Sequence, residues 1–193
     1  MHIAEGDSTT GFRIGGAPPV GVCPKFVNEG TQYFGTFPIS GDKAEEMSIF
    51  CSLNCDDPED PCFVTRQINQ ALGPEIIECV FHHPARRAIR SGFRSELQGY
   101  PVKFGKEAMQ DPADPSAGPP HQIGGIPFLE YDHPRARKAS ADLLQMGYLY
   151  LMRWTFPGSG DCLVKGEWPF HNFTFHLYLK ITGQGYDCRA LLV

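Results

Sequence analysis

The most restrictive feature of the sequence is an alternation of apolar and polar residues near its C-terminus. In residues 173–181, every second side chain is Phe, Leu or Ile, and the side chains between them are Thr, His, Tyr and Lys. Successive side chains of a β-strand point to opposite faces, so this pattern predicts a strand with one buried face. Such a strand has to pair within a sheet, and the chain is therefore expected to build its core from strands.

Weaker patterns predict the remaining elements. Glycine and proline, 21 and 17 residues in all, are dense in residues 1–46 and favour turns and short extended pieces there. Elsewhere, alternation and short apolar runs predict strands, and apolar residues at helical spacing predict helices. Together these patterns indicate an α+β fold, mainly antiparallel sheet with a few flanking helices. The other predicted strands are 47–54, 75–81, 148–156 and 186–192, and the predicted helices are 62–72, 84–97 and 139–145.

The length and one proline-rich segment bear on domain organisation. A chain of 193 residues suits a single domain with its own hydrophobic core. Residues 111–120 contain four prolines and are predicted to form a linker or a long surface loop. This segment divides the domain 1–193 into two possible halves, 1–110 and 121–193.

One short motif occurs in both possible halves. Residues 14–18 read Ile-Gly-Gly-Ala-Pro, and residues 123–127 read Ile-Gly-Gly-Ile-Pro. Paired glycines before x-Pro suggest a backbone with positive φ followed by an extended segment. Two interpretations are open: a coincidence in a chain rich in glycine and proline, or a duplicated half-domain in which each turn leads into one sheet. Equivalent positions of the two motifs in related sheets would support duplication.

Charge and cysteine content narrow the class of protein. The net charge of −5 argues against general affinity for nucleic acid or anionic membrane, which require a basic surplus. No run of about eighteen apolar residues predicts a membrane span. Residues 1–7 lack the basic and apolar regions of a signal peptide. With seven cysteines, we expect reduced thiols and a cytosolic location.

Three cysteines and two histidines are the candidates for a metal site: Cys51, Cys55, Cys62, His82 and His83. Tetrahedral zinc is usually held by pairs of ligands with about two to four residues between the members of a pair. Cys51 and Cys55 have this spacing, but Cys62 has no close partner, and Cys51 is expected on the buried face of a strand. We therefore expect no metal and no cofactor.

The sequence contains none of three common catalytic motifs, Gly-x-Ser-x-Gly, His-Glu-x-x-His and Gly-x-x-x-x-Gly-Lys. His121, beside the second Gly-Gly turn, could act as a base. No partner for it can be identified from the sequence, and a hydrogen bond to a loop carbonyl is the simpler role. The chain is therefore expected not to be an enzyme.

Two features suggest a surface for a protein partner. Four acids in residues 56–60 form the densest charge in the chain, and they are either a solvated loop with a helix cap or a docking site for a basic protein. Two aromatic residues fall in a predicted loop at 168–170, where they are candidates for an exposed hot spot. The candidate partner-binding residues are Asp56, Asp57, Glu59, Asp60, Trp168 and Phe170.

The two Gly-Gly-x-Pro segments, the strand after the first, and Leu-Leu-Gln at 143–145 followed by an aromatic-rich strand resemble the YwqG-like bacterial domain of unknown function. In that family an early Gly-Gly-x-Pro turn precedes a strand, as residues 15–18 do here. A later His-x-x-x-Gly-x-Pro segment, matched by residues 121–127, precedes a Leu-rich strand and a Trp-Gly stretch. The resemblance implies a single-domain α+β protein, and related domains occur as immunity proteins in bacterial toxin systems.

The resemblance, the acidic balance and the missing catalytic motifs predict a cytosolic bacterial immunity protein. Such a protein binds a cognate toxin or effector directly and occludes its active site. The alternative prediction is an uncharacterised enzyme or small-ligand-binding protein with a pocket near His121. A structural adaptor without a tight partner is the third. No nucleic-acid or membrane partner is expected.

Overall fold

The described part of the chain forms strands and a helix. Within it are eleven β-strands and one α-helix. The computed structural model describes residues 3–5, 13–27, 30–39, 45–52, 70–85, 100–104, 121–125, 127, 129, 133–155, 170, 173–183 and 185–193.

The strands form two antiparallel sheets, which confirms the predicted α+β class with mainly antiparallel sheet. The strands of the first sheet are β1 (Ile3–Glu5), β2 (Arg13–Ile14), β3 (Gln32–Ile39), β4 (Glu45–Cys51), β6 (Ile77–His82) and β7 (Tyr100–Phe104), in the order β1-β7-β2-β3-β4-β6. Those of the second sheet are β5 (Ala71–Leu72), β8 (Gln122–Ile123), β9 (Leu149–Trp154), β10 (Phe175–Thr182) and β11 (Gly185–Leu192), in the order β5-β11-β10-β9-β8.

The two sheets pack face to face around one hydrophobic core. The core draws buried residues from both sheets, and aromatic rings cross the interface between them. The ring of Phe34 on β3 lies 6.0 Å from that of Trp154 on β9 and 5.6 Å from that of Phe175 on β10. Phe170 stacks on Phe175 at 4.9 Å between ring centroids. Each sheet therefore has an inner face in this core and an outer face of its own.

The helix α1 (Pro134–Gln145) covers part of the outer face of the second sheet. It begins five residues before the predicted start at 139, because Pro134 has a φ suited to the first helical turn. Leu143 packs with Tyr178 of β10, and the Ser140 hydroxyl lies 2.8 Å from the Tyr178 hydroxyl. The helix end at Gln145 agrees with the prediction.

The predicted strands at 47–54, 75–81, 148–156, 173–181 and 186–192 correspond to β4, β6, β9, β10 and β11, with ends shifted by up to three residues within the described ranges. The predicted helix 62–72 is wrong at its C-terminal end, where Ala71–Leu72 pairs with β11 as β5. Its other residues before Gln70 lie outside the described part. Of the predicted helix 84–97 only residues 84–85 are described, and they are not helical. The loop 111–120 also lies outside the described residues.

The two Ile-Gly-Gly-x-Pro motifs occupy equivalent positions in the two sheets. Ile14 ends β2 and Ile123 ends β8, and both side chains face the shared core. Each following glycine has a positive φ, and its N–H donates to the neighbouring strand. Gly15 donates to the Phe34 carbonyl and Gly124 to the Leu151 carbonyl, both at 2.7 Å.

The equivalence extends over four strands. β2-β3-β4-β6 and β8-β9-β10-β11 are both antiparallel units in chain order. In each unit the register between the second and third strands shifts by one residue, at Phe34 in β3 and at Leu151 in β9. These are β-bulges, and their carbonyls are the ones that accept from the motif glycines. The matching register supports interpreting the motif as part of a duplicated unit.

Gly35, which follows the first bulge, explains why sequence patterns did not predict β3. A glycine weakens a strand pattern, but here it is required by close packing. A Cβ at Gly35 would lie 2.7 Å from the Arg13 carbonyl oxygen of β2 and 3.1 Å from the Phe37 ring. The glycine therefore permits the close approach of β2 to β3.

Replacing Gly35 should test this packing. We expect Gly35→Ala to lower the free energy of unfolding by about 1–3 kcal/mol, because the strand backbone of β2 cannot yield as a flexible side chain would. Gly183→Ala is the matched control, since a Cβ there meets no atom within 4 Å. Urea unfolding of both variants measures the difference. Equal stability of the two variants would contradict the assigned close approach.

Candidate functional site

The loop of residues 18–27 is fixed to the outer face of the first sheet at two points. Val22 is buried against Tyr33 and Phe50. The carboxylate of Glu78 on β6 accepts hydrogen bonds from the backbone N–H groups of Lys25, at 2.8 and 2.9 Å, and of Phe26, at 3.0 Å. Hydrogen bonds to an ionised carboxylate are stronger than those between neutral groups. We call residues 18–27 the anchored loop.

The anchored loop presents apolar side chains to solvent. Val20, Phe26 and Val27 are 61%, 50% and 58% exposed. Pro18, Pro19 and Pro24 of the same loop are buried. Because proline fixes φ and the carboxylate fixes the neighbouring amides, the loop holds its exposed side chains on a restrained backbone.

A row of hydrogen-bonded side chains crosses the outer face of the first sheet. The Tyr33 hydroxyl lies 2.5 Å from Thr36 Oγ1, which lies 2.8 Å from Ser48 Oγ, which in turn lies 2.8 Å from His82 Nε2. His82 Nδ1 donates to the His83 carbonyl at 2.8 Å, so in the neutral ring Nε2 accepts from Ser48. Burial raises the pKa of Tyr33.

Part of this row has the residue types of a hydrolase triad. The Glu46 carboxylate lies 3.8 Å from His82 Nδ1, so Ser48, His82 and Glu46 follow the order nucleophile, base and acid. Ser48 is wholly buried, however, and its hydroxyl is already shared between Thr36 and His82. The row therefore satisfies buried polar groups rather than forming an accessible active site.

The outer face of the second sheet carries a different polar cluster. Arg153 and His176 are buried on neighbouring strands, and the Tyr150 hydroxyl lies 3.2 Å from His176 Nδ1. Burial, assisted by the positive charge of Arg153, lowers the pKa of His176 to about 3. His176 is therefore neutral at physiological pH. Burial raises the pKa of the neighbouring Tyr150, so this hydroxyl is neutral too.

His121, the sequence candidate for a catalytic base, is buried in the fold. Its exposed fraction is 1%, and its ring centroid lies 4.5 Å from that of Trp154. The backbone N–H of Thr155 donates to His121 Nδ1 at 3.3 Å. In this bond His121 is the acceptor, and the predicted hydrogen bond to a loop carbonyl stays a prediction. This contact holds β8 beside β9.

A small surface cleft of about 340 Å³ runs between α1 and the segment before β5. Its Lys138 ammonium pairs with the Asp142 carboxylate at 2.9 Å, and this pairing raises the pKa of Lys138. The volume is at the lower end of the range for ligand pockets. The lining residues are Gln70, Ala71, Arg135, Lys138, Ala139, Asp142, Leu143 and Met146.

The predicted partner-binding residues are mostly beyond what the structure describes. Asp56, Asp57, Glu59, Asp60 and Trp168 lie outside the described residues. The prediction that Phe170 is exposed is wrong. Its side chain is fully buried, because it packs in the core between the sheets against the rings of Phe34 and Phe175.

The metal candidates are not assembled within the described residues. The buried Cys51 thiol points to the Gln32 carbonyl at 3.8 Å, and His82 is engaged by Ser48. Cys55 and Cys62 lie outside the described part of the chain. Among described side chains, no group of three or more His, Cys, Asp or Glu could hold a metal ion.

Comparisons of the chain with protein-family models, with curated proteins and with solved structures gave no match. No helix among the described residues is long and apolar enough to cross a membrane.

Sequence patterns missed the anchored loop. Residues 18–27 lie in the stretch where glycine and proline predict turns, and a turn pattern does not show which side chains are exposed. The available signal was Phe26 next to Val27 within that stretch, since surface turns are usually polar. The acidic partner of the loop, Glu78, lies more than 50 positions along the chain in the predicted strand 75–81, so no local pattern links them.

Removing the Glu78 carboxylate should release the anchored loop. We expect Glu78→Ala to accelerate hydrogen exchange at the amides of Lys25 and Phe26 by about 10- to 100-fold, the equivalent of about 1.5–3 kcal/mol for bonds to a charged group. Glu78→Gln keeps one acceptor oxygen and should give an intermediate rate. Exchange measured by NMR that is unchanged in Glu78→Ala would show that the carboxylate does not hold the loop.

His176 should make stability depend on pH in a defined direction. Its pKa is about 3 when folded and about 6.5 when unfolded, so between these values the unfolded chain binds more protons. The free energy of unfolding therefore falls as the pH is lowered, by about 1.4 kcal/mol per pH unit from this group between about pH 6 and pH 4.

The comparison that isolates this effect is His176→Asn, which retains a polar group near Tyr150 but does not titrate. Urea unfolding at several pH values should show a shallower pH dependence in this variant. His133→Asn replaces an exposed histidine at the start of α1 and should keep the steep dependence. Parallel curves for the wild type and His176→Asn would refute the assignment.

Proposed function

We propose that the chain is a protein-binding domain that contacts its partner through the anchored loop. The observation that supports this is the exposure of Val20, Phe26 and Val27 on a loop whose backbone Glu78 and three buried prolines restrain. Exposed apolar side chains that occur singly are common, but three within eight residues on a fixed backbone favour recognition.

Binding energy at protein interfaces is concentrated in a few apolar or aromatic side chains. A side chain that is already held in place loses less conformational entropy when it binds, so more of its burial appears as affinity. Phe26 is the aromatic residue of the anchored loop and is expected to be its strongest contact. The partner should therefore offer an apolar pocket that accepts a phenyl ring.

The partner in this proposal is a cognate bacterial toxin or effector that the chain neutralises in the cytoplasm by covering its active site. The resemblance to the YwqG-like domain supports this choice. The acid cluster at 56–60 would add a second, electrostatic contact that raises the association rate for a basic toxin. In this proposal the chain carries out no catalytic step of its own.

Small-ligand binding is the second candidate function, and the cleft beside α1 is the observation that favours it. Arg135 and Lys138 on its wall suit a small anion. In this second proposal the ligand binds at α1 rather than near His121, since the His121 side chain is buried.

Affinity purification with matched variants tests the binding proposal. The tagged chain is expressed in the cells that encode it, and proteins retained at high salt are identified by mass spectrometry. We expect one stoichiometric partner with the wild type. Phe26→Ser should raise the Kd for this partner by about 30-fold or more, as expected for a hot-spot residue that contributes about 2 kcal/mol or more. Ile181→Ser is the control, because Ile181 is also exposed, at 71%, but lies in β10.

Three results would decide against parts of the proposal. Loss of the partner only when Asp56, Asp57, Glu59 and Asp60 are reversed in charge would move the contact to the acid cluster. A partner that has no activity inhibited by stoichiometric addition of the chain would exclude neutralisation of a toxin. Absence of any retained partner, together with saturable binding of a small anion lost in Arg135→Ala, would favour the cleft.

A further inference from the structure

Two cysteines face each other across the core, one from each sheet. On β6 and β11, the rings of Phe81 and Tyr186 stack at 4.1 Å between centroids with an interplanar angle of 23°. Cys79 lies two residues before Phe81 on β6, and Cys188 lies two residues after Tyr186 on β11. Side chains two apart on a strand share a face, so both thiols point inward beside this stack.

Further contacts agree with this register. Both cysteines belong to the core shared by the sheets, and Cys188 lies close enough to raise the pKa of the Cys79 thiol. Both are free thiols in this structure. Cys51, on the inner face of β4, contacts the Gln32 carbonyl instead. Cys79 and Cys188 are therefore neighbours in the core, whereas the Cys51 thiol faces a backbone carbonyl.

We propose that Cys79 and Cys188 form a reversible disulfide that joins the two sheets when the protein meets a peroxide. This inference does not depend on the proposed binding function. As a residue Cys79 is less completely buried than Cys188, which favours Cys79 as the sulfur that the oxidant reaches first.

The reaction balances with hydrogen peroxide as the two-electron oxidant. The Cys79 sulfur attacks one peroxide oxygen, the O–O bond breaks, and Cys79 sulfenic acid and water form. The Cys188 thiolate then attacks the Cys79 sulfur, the S–O bond breaks, and a second water leaves after proton transfer. The two thiols thus lose two electrons and two hydrogens, and a dithiol such as dithiothreitol reverses the change by exchange.

The environment of the pair predicts a slow reaction that accelerates with pH. Burial, and then the neighbouring Cys188, raise the pKa of Cys79 well above its usual value. The thiolate is the reactive form, and little of it is present at neutral pH. The proposed bond is therefore a response to sustained oxidation, and its rate of formation should increase between neutral and alkaline pH.

The disulfide should stabilise the fold and leave the anchored loop unchanged. It would close a loop of more than half the chain and so restrict the unfolded state, which corresponds to a rise in Tm of about 10 °C. Glu78, which holds the anchored loop, precedes Cys79 and its carboxylate lies on the opposite face of β6. Partner binding and disulfide formation can therefore succeed or fail separately.

The test uses the full chain, reduced and then exposed to hydrogen peroxide at several pH values. Remaining thiols are alkylated and the protein is digested without reduction. We expect a loss of 2 Da from the intact mass, a peptide pair joined through Cys79 and Cys188, and a higher Tm that dithiothreitol reverses. In a variant with Cys23, Cys55, Cys62 and Cys162 replaced by serine, the same bond should form, and Cys51→Ser should also retain it.

Cys79→Ala and Cys188→Ala should each abolish the mass loss and the rise in Tm. Because a core variant can fail to fold, the digest of the wild type decides on its own. Recovery of Cys79 and Cys188 as alkylated thiols or as sulfinic acids after oxidation would overturn the proposal. So would a disulfide from either of them to another cysteine in the folded protein.

Discussion

The fold depends on the burial of two inner sheet faces against each other, and Phe34 lies at the centre of that contact. The bulge in β3 lets Phe34 and Phe37 both face inward, although residues three apart on a regular strand point to opposite faces. Its ring meets those of Phe37, Trp154, Phe170 and Phe175. Because aromatic side chains bury large areas, this cluster supplies much of the contact that joins the sheets. The bulge carbonyl is in turn held by the Gly15 N–H, so a glycine turn positions the core.

The two units share a strand arrangement but differ in the residues of their outer faces. Inner residues at matched positions are constrained by the shared core, whereas outer residues respond to whatever covers them. The first unit has hydroxyls at Thr36 and Ser48, which bond to one another. At the matching positions the second unit has Arg153 and His176, whose ring is neutral because burial and the arginine charge disfavour a second cation. The same strand arrangement therefore carries two unrelated polar clusters.

The parts of the fold that sequence patterns predict are those determined by local alternation. The strand at β10 follows from its period of two, and β4, β6, β9 and β11 follow from shorter runs of the same kind. β3 could not be predicted, since a glycine is required at position 35 by the close approach of the Arg13 carbonyl on another strand. The burial of Phe170 could not be predicted for a similar reason. Its ring packs against Phe34 and Phe175, which are distant from it or on another element, so the local sequence does not indicate burial. The anchored loop depends on Glu78, and a contact between segments so far apart in the chain has no local signature.

Glu78 has a counterpart in the second unit that clarifies its role. By strand register Glu78 lies opposite Phe50, and Arg189 lies opposite Tyr178 at the matching site. Arg189 Nε donates to the Tyr148 hydroxyl at 3.3 Å, directly before β9, and Glu78 binds the amides of the loop that leads to β3. Each unit thus uses an outward side chain of its fourth strand to hold the segment before its second strand. In the second unit that segment is covered by α1, with Tyr148 buried beside Leu143. In the first unit the segment remains at the surface with Phe26 exposed, and this difference supports the proposal that the first unit carries the binding surface.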